Sequence, residues 1–155
     1  MTGLEYADLI ATYLVHNYGA RSISVYREVG LGKSIIGKNR KIDVLVVHEE
    51  THRALAIECK FQASQGTVDE KIPYTLQDLE ALRMPGIVAY AGEGFSHGVV
   101  HMLQASPMAA YCLPTSSDLQ PSEATRELDH VVAMAFDWWD VVLRGKKKHA
   151  VGGLP

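Results

Sequence analysis

The run Lys41-Ile-Asp-Val-Leu-Val-Val-His48, followed after a short turn by Ala54-Leu-Ala-Ile-Glu-Cys-Lys-Phe61, places charged residues inside two strongly apolar segments. Both are rich in Val, Ile and Leu and are bounded by the polar Glu49-Glu50-Thr51-His52, so they read as a β-hairpin even without an Asn-Gly or Asp-Gly turn. A buried charge is costly unless a partner or a metal compensates it. Pairing symmetric about Glu50 and Thr51 sets Asp43 opposite Glu58, and strand alternation sends Glu58 and Lys60 to one face. Two carboxylates and an ammonium are thereby expected to converge. Such a set suits metal-assisted phosphodiester hydrolysis. Hard oxygen ligands hold Mg²⁺, and a neighbouring Lys orients or helps deprotonate water.

The pattern Asp43 … Glu58-Cys59-Lys60 resembles the PD-(D/E)XK nuclease superfamily, with Ile42 standing where that family usually has Pro. Gln62 extends it to Glu-x-Lys-x-Gln, and Glu28 lies in an upstream strand-like run. The resemblance covers roughly residues 3 to 92. It implies a restriction endonuclease-like α/β core, a central mixed sheet flanked by helices with the acids at its centre. It implies a Mg²⁺-dependent nuclease, with Mn²⁺ able to substitute, in which Asp43, Glu58 and the Cys59 carbonyl are metal ligands. Lys60 positions or activates water, and Glu28 and Gln62 complete the catalytic set. Many duplex-cleaving members pair two sites, so a homodimer follows by analogy. A catalytically inactive DNA-binding or assembly module of the same fold is the alternative.

A chain of 155 residues fits one domain, expected over 1–145 with a basic tail over 146–155. The formal charge of −3 and pI near 6.1 give no global nucleic-acid footprint, so affinity for DNA must come from local basic patches or bound metal. One such patch is the glycine-punctuated stretch from Gly30 to Lys41, expected to be a mobile loop whose Lys33, Lys38, Arg40 and Lys41 contact phosphates. Lys33-Ser34 is not a Walker loop, because the required upstream Gly is absent. Cys59 and Cys112 suggest neither a disulfide scaffold nor a zinc site, which fits a reducing, cytoplasmic setting. Glu5 and Asp8 near the N-terminus argue against an export signal, and no apolar run approaches the roughly 20 residues a bilayer span requires.

Helical spacing marks Leu4–Tyr18, a segment from Asp69 to Leu82 with Pro73 near its first turn, Ser96–Gln104, and one long helix over Glu123–Leu143. Strands are expected over Ser22–Val29, Gly86–Ala91 and Ala109–Leu113. Trp138 and Trp139, at helical spacing with aliphatic neighbours, read as core or as a dimer face.

Overall fold

The computed structural model describes residues 1–152, so the last three positions of the expected tail lie outside the described residues. The chain opens with helix α1, Gly3–Tyr18, started by a capping box between Thr2 and Glu5 that satisfies two otherwise orphaned amides. Strands β1 (Ile23–Lys33), β2 (Asn39–His48) and β3 (Ala54–Phe61) follow. Helix α2 (Val68–Glu80) leads to β4 (Gly86–Ala91), and helix α3 (His97–Ala105), N-capped by Ser96, leads to the short β5 (Ala109–Tyr111). Helices α4 (Arg126–Ala135) and α5 (Trp139–Val142) close the fold.

The five strands form one sheet in the order β1-β2-β3-β4-β5. The first three pair antiparallel and the last two join in parallel, giving the mixed sheet flanked by helices that the sequence pattern implied. Alternation along each strand splits the core into two layers. On one face Tyr6, Ile10 and Leu14 of α1 pack with Val44, Val46, Leu55, Ile57 and Cys59, and α4 adds Leu128 and Val132, joined by Trp138 immediately before α5. On the other, Ile72 and Leu79 of α2 meet Val88 and Tyr90 of β4 and Leu103 of α3. No helix among the described residues is long and apolar enough to cross a membrane.

Two expectations need correction. The stretch from Gly30 to Lys41 is mainly a hairpin extension of β1 and β2, and only a tip over residues 34–38 lies outside the strands. Backbone bonds from Ser34 N–H to Lys38 O (2.8 Å) and from Gly37 N–H to Ser34 O (2.9 Å) close that tip. The long C-terminal helix is two helices, parted where Asp137 adopts a left-handed φ of 62°. A continuous helix would turn Phe136 and Trp138 about 200° apart. The break lets both enter the same core, where their rings stack with centroids 5.1 Å apart and Trp138 stacks on Tyr18 at 5.3 Å. Trp138 is therefore core, whereas Trp139 is exposed.

Candidate active site

Glu58 and Lys60 lie beside Val88 and Tyr90 in the parallel β3–β4 register, so both occupy the face covered by α2 and α3. Asp43 reaches them from β2. The antiparallel β2–β3 register runs from Val47↔Ala54 to Val44↔Ile57, and one further step sets Asp43 opposite Glu58. There the ladder gives way to side chains. The Cys59 N–H donates to Asp43 Oδ2 at 2.8 Å, and on the opposite side the Asp43 carbonyl accepts from Arg27 Nε at 2.9 Å. Arg27 is itself anchored to Asp8 of α1. Main-chain pairing is thus opened on both sides of the one acid in β2, which fixes its carboxylate against the neighbouring strand.

The Asp43 and Glu58 carboxyl groups are close neighbours on this face. Burial, and next the adjacent Asp43 charge, push the Glu58 carboxyl up to about 9, with Lys60 acting weakly in the other direction. Two crowded carboxylates with too little positive charge bind a proton where a cation would satisfy them better. The donor set is all oxygen. No cluster of three His, Cys, Asp or Glu side chains suited to a metal occurs among the described residues. Mg²⁺ needs no such cage, since it is commonly held by one or two carboxylates, with water and substrate phosphate completing the shell. The pair therefore fits a hard divalent cation. Cys59 contributes no thiol, because its side chain is buried in the α1 layer and burial holds its pKa well above the ordinary value.

A cavity of about 210 Å³ opens beside Glu58 and Lys60. Lys38, Arg40 and Lys41 line it from the hairpin, and Tyr74, Thr75 and Asp78 from α2. The four basic residues expected to meet phosphates differ in standing. Lys38 and Lys41 are exposed and make no ion pair among the described residues. Arg40 is taken up by Asp78 through two bonds, Nε to Oδ2 at 3.0 Å and Nη2 to Oδ1 at 2.8 Å, with the two side chains only 11% and 14% exposed. Lys33 donates to Asn39 Oδ1 at 2.6 Å and lines a neighbouring cleft instead.

Glu28 lies across the register from Asp43 yet is skipped by the β1–β2 pairing, exposed, and held at a left-handed φ of 54°. Gln62 is not brought to the site. It is 5% exposed, its amide donates to Gly94 O at 2.7 Å, and its Oε1 accepts from Asp69 N–H at 3.1 Å. That amide clamps the loop after β4 to the start of α2. Gly92 (φ 106°) and Gly94 allow it, because a Cβ at either would collide with the backbone of Gln62 or Ser64. Asp78 is the site residue the motif did not reveal. Its helical spacing sets it one turn from Tyr74 and Thr75, but its partner Arg40 lies 38 positions away, beyond any local pattern.

A mixed five-stranded sheet between helices, with an acid on one inner strand and Glu-x-Lys on the next, defines a restriction endonuclease-like α/β fold carrying a nuclease-type site. A PD-(D/E)XK nuclease superfamily domain matches residues 2–139, and the chain belongs to that superfamily. No curated protein matches the chain. Among solved structures, a protein of unknown function, AF1548, superposes with a TM-score of 0.48 at 14% identity, covering 94% of this chain and 73% of that one. A repair endonuclease from Pyrococcus abyssi superposes with a TM-score of 0.36 at 14% identity, over 63% of this chain and 42% of the endonuclease. Neither likeness bears on the chemistry of the site.

Proposed function

We propose that the protein is a divalent-metal-dependent nuclease that hydrolyses phosphodiester bonds of DNA, acting as an endonuclease. The observation that carries the reading is the Asp43–Glu58 pair, crowded together and short of positive charge, with Glu58 beside Lys60 at a cavity edged by free lysines. Asp43 and Glu58, with the Cys59 carbonyl, would hold Mg²⁺ or Mn²⁺. Bound there, the ion supplies neutralisation of phosphate charge and a lowered pKa for water. Lys60 holds the attacking water and the developing negative charge through its ammonium, which forms no ion pair among the described residues. Lys38 and Lys41 bind the flanking phosphates, a contribution that weakens as salt rises. Glu28 serves from the solvent rim rather than as an inner ligand. Cutting both strands of a duplex needs two such sites, which a pair of chains would supply.

Supercoiled, linear, single-stranded and branched DNA, with RNA as a further arm, would be incubated with Mg²⁺, Mn²⁺ or EDTA. Cleavage of DNA that needs metal and disappears in Asp43→Asn and Lys60→Ala is the expected result. Manganese binding followed by electron paramagnetic resonance supplies a readout independent of turnover, and Glu58→Gln should lose it. Binding of DNA without cleavage under any metal would reject the enzyme and favour the inactive module.

A further inference from the structure

The strands that present Asp43 continue past the sheet into the 34–38 tip, and this tip is fastened down. Asp78 accepts the Ile35 N–H at 2.9 Å as well as the Arg40 fork, pinning the hairpin to α2. Gly32 (φ 60°) and Gly37 (φ 78°) supply the left-handed turns that its sharp reversal needs. An anchored tip would ordinarily turn its apolar side chains inward. Here Ile35 is 46% exposed and Ile36 is 59% exposed, side by side at the end of the hairpin.

Positive charge surrounds them. Lys38 and Arg83 form no ion pair among the described residues, and the Lys33 ammonium meets only the neutral Asn39 amide. Behind Ile35 a cavity of about 470 Å³ is floored by Leu31, Leu82 and Met84 and rimmed by Lys33 and Arg83. It shares Ser34 and Arg40 with the cavity beside Glu58 and Lys60. At this boundary the Ser34 hydroxyl is buried without a hydrogen-bond partner. Exposed aliphatic surface, unneutralised cations and continuity with a phosphodiester site together match one kind of surface, a nucleic acid whose base faces are uncovered. A stacked duplex offers phosphates but hides those faces. A strand end or branch point offers both, and inserted apolar wedges are known to unstack base steps.

We propose that the 34–38 tip is a strand-separating wedge that directs the enzyme to junctions between paired and unpaired DNA. Ile35 and Ile36 abut the last base pair, the cavity behind Ile35 receives the first unpaired base, and Lys33, Lys38 and Arg83 hold the phosphates beside it. The proposal rests on the nuclease reading for the identity of the polymer. It goes further in naming the substrate class.

The test places 2-aminopurine at the first unpaired position of a forked DNA, and at the centre of a fully paired duplex. Ca²⁺ replaces Mg²⁺ so that binding is read without cleavage. Wild type should bind the fork more tightly and change the fluorescence of the fork base alone. An Ile35→Ser/Ile36→Ser double variant should bind the fork roughly tenfold or more weakly, as expected for losing apolar burial by two isoleucines, with duplex binding unchanged. Ile36→Leu should keep the preference. Equal wild-type affinity for fork and duplex would overturn the wedge, as would a double variant of wild-type melting temperature that retains fork selectivity. Mg²⁺-dependent cleavage of uniform duplex with no fork preference would reject the wedge and leave the nuclease standing. Fork-selective binding lost in the double variant, without cleavage in any metal, would support the wedge and reject the nuclease.

Discussion

Two carboxylate clusters lie on opposite faces of the same sheet and have opposite characters. On the α1 face Asp129 is 6% exposed, yet it accepts from Tyr13 Oη at 2.8 and 2.9 Å, Tyr18 Oη at 2.6 Å and Thr125 Oγ1 at 2.9 Å. Both tyrosines are pushed above the ordinary phenol range, by burial first and then by their contact with Asp129. They stay protonated donors. On the α2 face one backbone N–H, that of Cys59, donates to Asp43, and the neighbouring Glu58 carboxyl adds like charge rather than a donor. Both clusters adjoin a cavity, yet the protein itself meets the cost of burying charge in the first and leaves it largely unmet in the second. Completed networks hold folds together, and incomplete ones are poised to take something from solution.

The widest separation should come from substitutions that spare shape. Glu58→Gln, Asp43→Asn and Lys60→Ala should each lower metal-dependent cleavage by roughly 10²–10⁴-fold, the range for losing a positioned catalytic group. Glu58→Gln should meanwhile leave metal-free stability within about 0.5 kcal/mol, because a neutral amide resembles the protonated acid that the crowded pair favours. Urea melts alongside cleavage rates decide the matter. A Glu58→Gln protein that cuts normally, or one that barely folds, would erase the distinction between the faces.

Asp129→Ala should behave in the reverse manner. It strands the hydroxyls of Tyr13 and Tyr18 in the interior, whereas Thr125 keeps its bonds to Ser122, and each orphan costs about 1–3 kcal/mol. A loss of at least about 2 kcal/mol is expected, with specific activity of the folded fraction little changed. Near-wild-type stability would show that this network is no better satisfied than the Asp43 pair.

How far the sequence reached follows the same division. The hairpin, the Asp43–Glu58 register and the shared face of Glu58 and Lys60 were legible because strand alternation and turn symmetry are local. What stayed hidden depended on distant partners. Arg40 carries the composition of a phosphate ligand but is claimed by Asp78, and Gln62 carries the family pattern but is claimed by Gly94 and Asp69. The break at Asp137 was invisible to helical spacing because the core that wants both Phe136 and Trp138 is assembled from α1 and the sheet. Asp129 was missed for the same reason, since its donors come from α1 as well as its own helix.

The Arg40–Asp78 fork lies between the two extremes, a completed pair on the active face. The Arg40 guanidinium, with help from the Ile35 N–H, holds the Asp78 carboxyl below the usual carboxylate range. A depressed folded pKa means stabilisation that is fully present above the unfolded carboxylate value of about 4 and is lost as pH falls through the folded value. Asp78→Asn should cost about 1–3 kcal/mol at neutral pH, as for hydrogen bonds to charged groups. It should also remove that share of the acid-limb loss seen in wild type below about pH 4. Hydrogen exchange should report the damage first at the Ile35 amide. Parallel acid limbs in wild type and variant would mean that the fork contributes nothing to the anchoring of the tip.

The smallest effect concerns Ser34. Its hydroxyl is buried at the junction of the two cavities with no partner, so a polar group has been desolvated without compensation. Removing it by Ser34→Ala keeps the backbone bonds that close the tip and should raise stability by about 1 kcal/mol, the lower part of the range for an unsatisfied buried group. The gain should carry a cost in fork binding if that hydroxyl meets a base edge, and none in duplex binding. A fall in stability would mean that the hydroxyl already has a bound water. In that event the open polar character of the active face would shrink to Asp43 and Glu58, and its contrast with the Asp129 face would rest on that pair alone.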